Sequence, residues 1–200
     1  MGELRIVVPG EYILDGMCAF PLPGDRAEYS LAFRERTAST NPVMLNDVRA
    51  EAEPPRNNRC TPGWTDPDGS FQQPTYATFL NSADFTAFFR SPELLRGPVV
   101  LRGTLEADWP AVIGDPPPVR GTIARCRLVT RTTCVYPIGE HRTRIDTLTD
   151  LDGPAGFRSG LVPAGPPGET GGRNWVAMVP PEHGEWTRDS GVLVTLSIST

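Results

Sequence analysis

Apolar and polar residues alternate with a period of two along much of this 200-residue chain, and that period marks strands with one buried face. Leu4, Ile6 and Val8 alternate before Pro9-Gly10 breaks the run. Tyr12, Ile13 and Leu14 resume it, and Asp15-Gly16 and Pro21 to Gly24 are turn signals. Tyr29, Leu31 and Phe33 alternate with Glu28, Ser30, Ala32 and Arg34. Further on, Val99, Leu101, Leu105 and Ala107 share a face opposite Val100, Arg102, Thr104, Glu106 and Asp108. After the Asp115-Pro116-Pro117-Pro118 loop, residues 119–134 read as one long strand. Ala124, Cys126 and Leu128 point one way along it; Arg125, Arg127 and Arg131 point the other. Near the end Val192, Val194, Leu196 and Ile198 alternate with Leu193, Thr195, Ser197 and Ser199. Strands at both ends tied into one sheet predict a closed or nearly closed β structure.

Two stretches break the alternation. Residues 37–74 hold Pro42, Pro54, Pro55, Pro62, Pro67 and Pro74 with Asn and Asp between them, and read as a long loop excursion on the surface. Residues 153–172, dense in Gly and Pro, read as a second loop. The period changes once. Phe85, Phe88 and Phe89 fall at i, i+3 and i+4, Ser82 is a candidate cap and Ser91-Pro92 a stop, so a short Phe-rich helix is predicted over 83–90. Its apolar stripe packs on the sheet or, alternatively, binds a partner. The expected fold is mainly β: one domain over 1–200, a small barrel or two-sheet sandwich with that helix and long Pro/Gly-rich loops.

Composition sharpens this picture. The chain has 20 Gly and 22 Pro, 38% hydrophobic residues and a net charge of −5, so it buries a core but spends many residues on turns. An acidic balance does not draw a protein to nucleic acid or to an anionic membrane, and no stretch approaches the ~20 apolar residues of a membrane helix. All 19 basic residues are Arg. Without Lys there is no Walker A loop, no Schiff-base or pyridoxal phosphate site and no protein-kinase strand Lys. Glu3 and Pro9 interrupt the segment where a signal peptide needs an apolar core. With Cys18, Cys60, Cys126 and Cys134 read as free thiols, a cytoplasmic location is expected.

Candidate chemistry is sparse. Arg120, Arg125, Arg127, Arg131, Arg142 and Arg144 lie within 25 residues whose only acid is Glu140. Such a face follows a single-stranded nucleic acid, or its charges pair across strands with Glu106 and Asp108; the absence of interleaved aromatics favours pairing. His141 and His183 each follow a Glu, an invitation to acid–base chemistry, but strand neighbours point to opposite faces and both sit in expected turns, so they read as solvated. Asp66-Pro67-Asp68-Gly69 and Asp150-Leu151-Asp152-Gly153 lack the further oxygen ligands of a calcium loop and read as turns. No cofactor or metal is called for. Three readings follow: a non-catalytic module acting through protein–protein contacts or self-assembly, a single-stranded nucleic-acid binder using the Arg strand, and an enzyme with a scattered acid–base site near His141 or His183. The first is expected.

Gly16-Met17-Cys18 followed by Pro23-Gly24-Asp25, then Val119-Arg120-Gly121-Thr122-Ile123, then Gly191-Val192-Leu193-Val194-Thr195-Leu196 together resemble a family of small cytosolic proteins of unknown function from high-GC bacteria. The Pro-rich 37–74 stretch and the 83–90 segment depart from that family's pattern. The resemblance implies a compartment and a source, and no activity.

Overall fold

The computed structural model describes residues 2–36, 40–55, 60–65, 71–108, 117–135, 142–151, 153, 161–163 and 184–198. The strands are β1 (Gly2–Pro9), β2 (Arg26–Glu35), β3 (Asn46–Glu53), β4 (Trp64–Thr65), β5 (Phe71–Gln72), β6 (Tyr76–Asn81), β7 (Thr86–Ser91), β8 (Gly97–Asp108), β9 (Val119–Val135), β10 (Arg142–Asp150), β11 (Leu161–Pro163) and β12 (Gly184–Ile198). The only helical turns among the described residues are α1 (Gly10–Leu14) and a 3-10 turn at Pro42–Met44. No helix among them is long and apolar enough to cross a membrane.

Eight strands close into a barrel in the order β9-β2-β7-β6-β3-β8-β1-β12, and the β12–β9 ladder completes the ring. The alternation seen in β1 and β12 explains their pairing: Leu4, Ile6 and Val8 sit opposite Leu196, Val194 and Val192 and share the interior. A second ladder joins β2 to β8 across the ring. Leu31 to Phe33 is therefore bonded on both edges, in parallel to Ala87–Phe89 and antiparallel to Leu105–Ala107. Gly103 is where β8 exchanges partners, opposite both Asn46 and Glu35. A Cβ there would run into the Arg34 carbonyl and lie 2.6 Å from the Phe33 ring, so only Gly admits so close an approach.

The helix expected over 83–90 is a strand. Residues 82–85 make a turn closed by Ser82 N–H to the Phe85 carbonyl at 2.8 Å, and β7 runs back along β6. The physical reason is that two helical turns are unstable alone, whereas these residues gain a ladder on each side from β6 and β2. Helical spacing would have stacked the rings on one face. In the strand, neighbours Phe88 and Phe89 point to opposite faces. Phe89 enters the barrel and meets Phe33 edge to face at 5.2 Å; Phe88 lies outside against Phe79, with the Arg90 guanidinium over its ring at 5.4 Å. Both are buried, and Phe85 packs half-buried on the core.

Four further expectations change. Tyr12 to Leu14 belong to α1 rather than to a strand. The 37–74 stretch is no continuous loop: Asn46–Glu53 is β3, whose Val48 and Ala52 are core residues, and Trp64–Thr65 pairs with Phe71–Gln72. Of 153–172, Leu161–Pro163 forms a strand on β12; most of the remainder lies outside the described residues. Ala124 does not follow Cys126 inward. It is the extra residue where β9 slips against β12 between Ile123 and Arg125, and this bulge turns Ala124 and Arg125 both outward.

A smaller apolar layer lies on the outside of the barrel wall. Val7, Val129 and Leu193 are buried there under Met44, with Leu148 of β10 packed on them. Burying a side chain of this size contributes about 1.5–3 kcal/mol, and this layer fastens β10 to the barrel.

Phe89→Ala is expected to cost about 3–5 kcal/mol, read as a lower midpoint in urea unfolding followed by circular dichroism. A loss below about 1 kcal/mol would contradict the interior placement of this ring.

Candidate functional site

The Arg-rich strand is engaged with carboxylates, but not with those the sequence suggested. Arg120 donates through Nε and Nη2 to Glu28 of β2 at 2.8 and 3.3 Å. Arg125 reaches Asp150 of β10 at 2.6 Å, and Arg127 lies 3.7 Å from the same carboxylate. Arg131 grips Asp146 with two bonds at 2.8 and 3.2 Å. Glu106 instead pairs with Arg34, and Asp108 accepts from the Tyr12 hydroxyl. The cause is topology: β9 lies between β10 and β12 and touches β2 at its start, while β8 is on the far side of β2. Arg144 is exposed; of Arg142 only the backbone is described.

These pairs differ in weight. Those of Arg120 and Arg125 are exposed at both partners, where water screens the charges and the bridges add little to stability. The Arg120 guanidinium, by hydrogen bonding, holds the Glu28 carboxyl below its ordinary range. Asp146 is different. Its side chain is 6% exposed, against 31% for Arg131, and its backbone carbonyl accepts from the Asn41 amide at 3.0 Å. A buried carboxylate stripped of its cation is costly. Hydrogen bonding to the Asp146 carboxylate raises the Arg131 pKa.

A second cluster surrounds Tyr29. Burial raises its hydroxyl pKa, with Cys18, Cys126 and Asp25 adding to the effect. Cys126 lies in the core, donates to the Pro21 carbonyl at 3.4 Å, and its thiol is pushed up to about 11, first by burial and then by Asp25. Cys18 is raised by burial as well. Raised thiols are poor nucleophiles at neutral pH. None of the four cysteines forms a disulfide. Among the described residues no group of three or more His, Cys, Asp or Glu is placed to hold a metal. His141 and His183 lie outside the described residues, as do Asp66, Asp68 and Asp152.

One end of the barrel carries a feature the sequence reading passed over. Between β3 and β6 the chain leaves as a two-stranded arm, tied at its base by reciprocal Thr61–Thr75 backbone bonds of 2.8 and 3.0 Å. Arg90 of β7 donates to the Thr61 hydroxyl at 2.8 Å, anchoring that base to the barrel. Above it Trp64 opposes Gln72 and Thr65 opposes Phe71, so the two aromatics face opposite sides. Trp64 is 51% exposed and Phe71 60%. Leu94, in the β7–β8 connection at the same end, is 44% exposed, and Val100, on the outer face of β8, is 75% exposed. The available signal was two aromatics flanking the turn sequence Asp66-Pro67-Asp68-Gly69-Ser70.

No protein-family profile, no curated protein and no solved structure matches this chain.

Two predictions follow from the electrostatics. Arg131→Leu is expected to cost about 2–4 kcal/mol because Asp146 stays buried and unpaired, with part recovered in the Arg131→Leu/Asp146→Leu double variant. Arg125→Gln is expected to cost under about 1 kcal/mol; equal losses in thermal melts of the two single variants would overturn this ranking. The second concerns alkaline pH. The folded state holds the Cys126 proton more tightly than the unfolded chain does, whose thiol titrates near 9.0. Stability is then fully present below about pH 9 and is lost as pH rises through about 11, Tyr29 adding in the same direction. Melting temperatures measured across this range should fall, and fall less steeply in Cys126→Ala.

Proposed function

We propose that this protein is a non-catalytic binding module that engages a partner protein through the arm end of its barrel. The observation that carries the reading is the exposure of Trp64 and Phe71 on both faces of a two-stranded arm. Apolar side chains of this size are normally drawn into a core. Here a core is available and holds Phe33 and Phe89, yet the arm leaves half or more of each of its two aromatics exposed. Trp is enriched among the few residues that carry most of the binding energy in protein interfaces, and large aromatics are enriched at interface cores. The arm is braced by Arg90 and the Thr61–Thr75 bridge, so less ordering cost falls on association. Leu94 and Val100 extend the apolar surface at that end.

The paired state of Arg120, Arg125, Arg127 and Arg131 favours this reading over single-stranded nucleic acid. A phosphate backbone would have to displace carboxylates already in place, on a chain of net charge −5. Free thiols suit a reducing compartment, so a cytoplasmic setting is part of the reading.

The test compares wild type, Trp64→Ala/Phe71→Ala and Arg125→Gln/Arg127→Gln. A partner recovered with wild type is purified and its affinity for all three measured by calorimetry, alongside sedimentation velocity for self-association and a shift assay with labelled oligonucleotide. The arm variant is expected to keep its melting temperature and lose at least 30-fold in affinity, since hot-spot truncations cost about 2 kcal/mol or more each. Unchanged partner affinity in the arm variant, or oligonucleotide binding lost in the Arg variant, would overturn the proposal.

A further inference from the structure

At the other end of the molecule the β2–β9 ladder carries a cleft of about 400 Å³ lined by Arg26, Ala27, Glu28, Arg120, Gly121 and Thr122. β2 runs parallel to β7 and antiparallel to β8, so its first residues lie away from the arm. In the ladder Arg26 stands opposite Thr122 and Glu28 opposite Arg120. Residues two apart on a strand share a face, so four side chains project together: two guanidiniums, one carboxylate and one hydroxyl. All four are exposed. Glu28 occupies Nε and Nη2 of Arg120. Arg26 has no ion pair or side-chain hydrogen bond among the described residues. It is thus set apart from Arg120, Arg125, Arg127 and Arg131, each of which already has a carboxylate.

We infer that this cleft is a binding site for a small oxyanion, a phosphate or a carboxylate. The guanidinium of Arg26 offers a planar fork that matches two oxygens of such a group. The free Nη1 end of Arg120, on the diagonal from Arg26, and the Thr122 hydroxyl, directly opposite it, supply further donors. One net positive charge remains after Glu28 is counted, which sets the sign of the ligand. The volume is within the range of small-ligand sites. Glu28 has a double part: it fixes the Arg120 side chain, and it competes with the ligand for the donors of Arg120.

That competition makes the inference testable by sign. Calorimetry and NMR of the Arg side-chain N–H groups would follow titration of the intact protein with pyrophosphate, with inorganic phosphate and with citrate at constant ionic strength. Arg26 resonances are expected to shift with at least one of the three, and the pair of inorganic probes against citrate decides between phosphate and carboxylate. Arg26→Gln should weaken binding at least tenfold, Glu28→Gln should strengthen it several-fold, and Arg96→Gln, a change of equal charge elsewhere, should leave it unaltered. The site is overturned if none of the probes binds at millimolar concentration, if Arg26→Gln and Arg96→Gln weaken binding alike, or if Glu28→Gln lowers affinity. Trp64→Ala/Phe71→Ala should not alter these titrations, so this inference and the arm reading fail separately.

Discussion

Everything in this fold depends on Leu31 to Phe33 being bonded on both edges. These three residues receive Ala87–Phe89 from one side and Leu105–Ala107 from the other. Leu31, Phe33, Leu105 and Phe89 thereby converge in the interior within one layer. The arrangement demands a site where β8 turns from β3 to β2, and that site demands a residue without a side chain, Gly103. Once the ladders are in place, the β12–β9 pairing closes the ring and leaves few strand edges to cover. The arm and the cleft inherit fixed positions from this: one extends the β3–β6 connection, the other lies over the first residues of β2.

What the sequence made legible was the period of two. It placed β1, β2, β8, β9 and β12 and indicated closure, because the alternation of a half-buried strand is a local pattern. It failed at 83–90 for a reason that is also physical. Phe88 and Phe89 are adjacent, and adjacent apolar residues in a strand signal burial on both faces; the same two letters with Phe85 also satisfy a helical stripe. The partners decide between the two: β6, joined to β7 by the turn at 82–85, and β2, distant in sequence. The bulge at Ala124 was invisible likewise, since it is defined against β12 and not within β9.

The charge pattern carries the same lesson with a finer signal. Asp146 and Asp150 are spaced as Arg131 and Arg127 are, four residues apart, and the register places each opposite its cation. Leu148 between them covers Val129 between the arginines. The strand β10 is thus a complement of β9 written in reverse, and that antiparallel match was readable in Arg142 to Asp150. Looking for partners only in the preceding strand missed it. The aromatics of the arm were hidden differently: Trp64 and Phe71 sit in a Pro- and Asp-rich stretch, where no periodicity distinguishes a short two-stranded arm from loop.

The absence of Lys gives these pairs their particular form. A guanidinium has donors enough to hold a carboxylate in a fork and still present another edge. Arg131 uses its fork to neutralise a nearly buried Asp146 and so fastens β10; Arg120, which lines the cleft, uses two of its nitrogens on Glu28 and keeps a third off that carboxylate. An ammonium in either position would meet one oxygen at a time and leave the second unsatisfied. With Lys unavailable, the barrel wall is braced by rigid forks rather than by flexible point charges. The one such fork in the cleft that the fold leaves without a carboxylate is Arg26, which is why the proposed anion site centres on it.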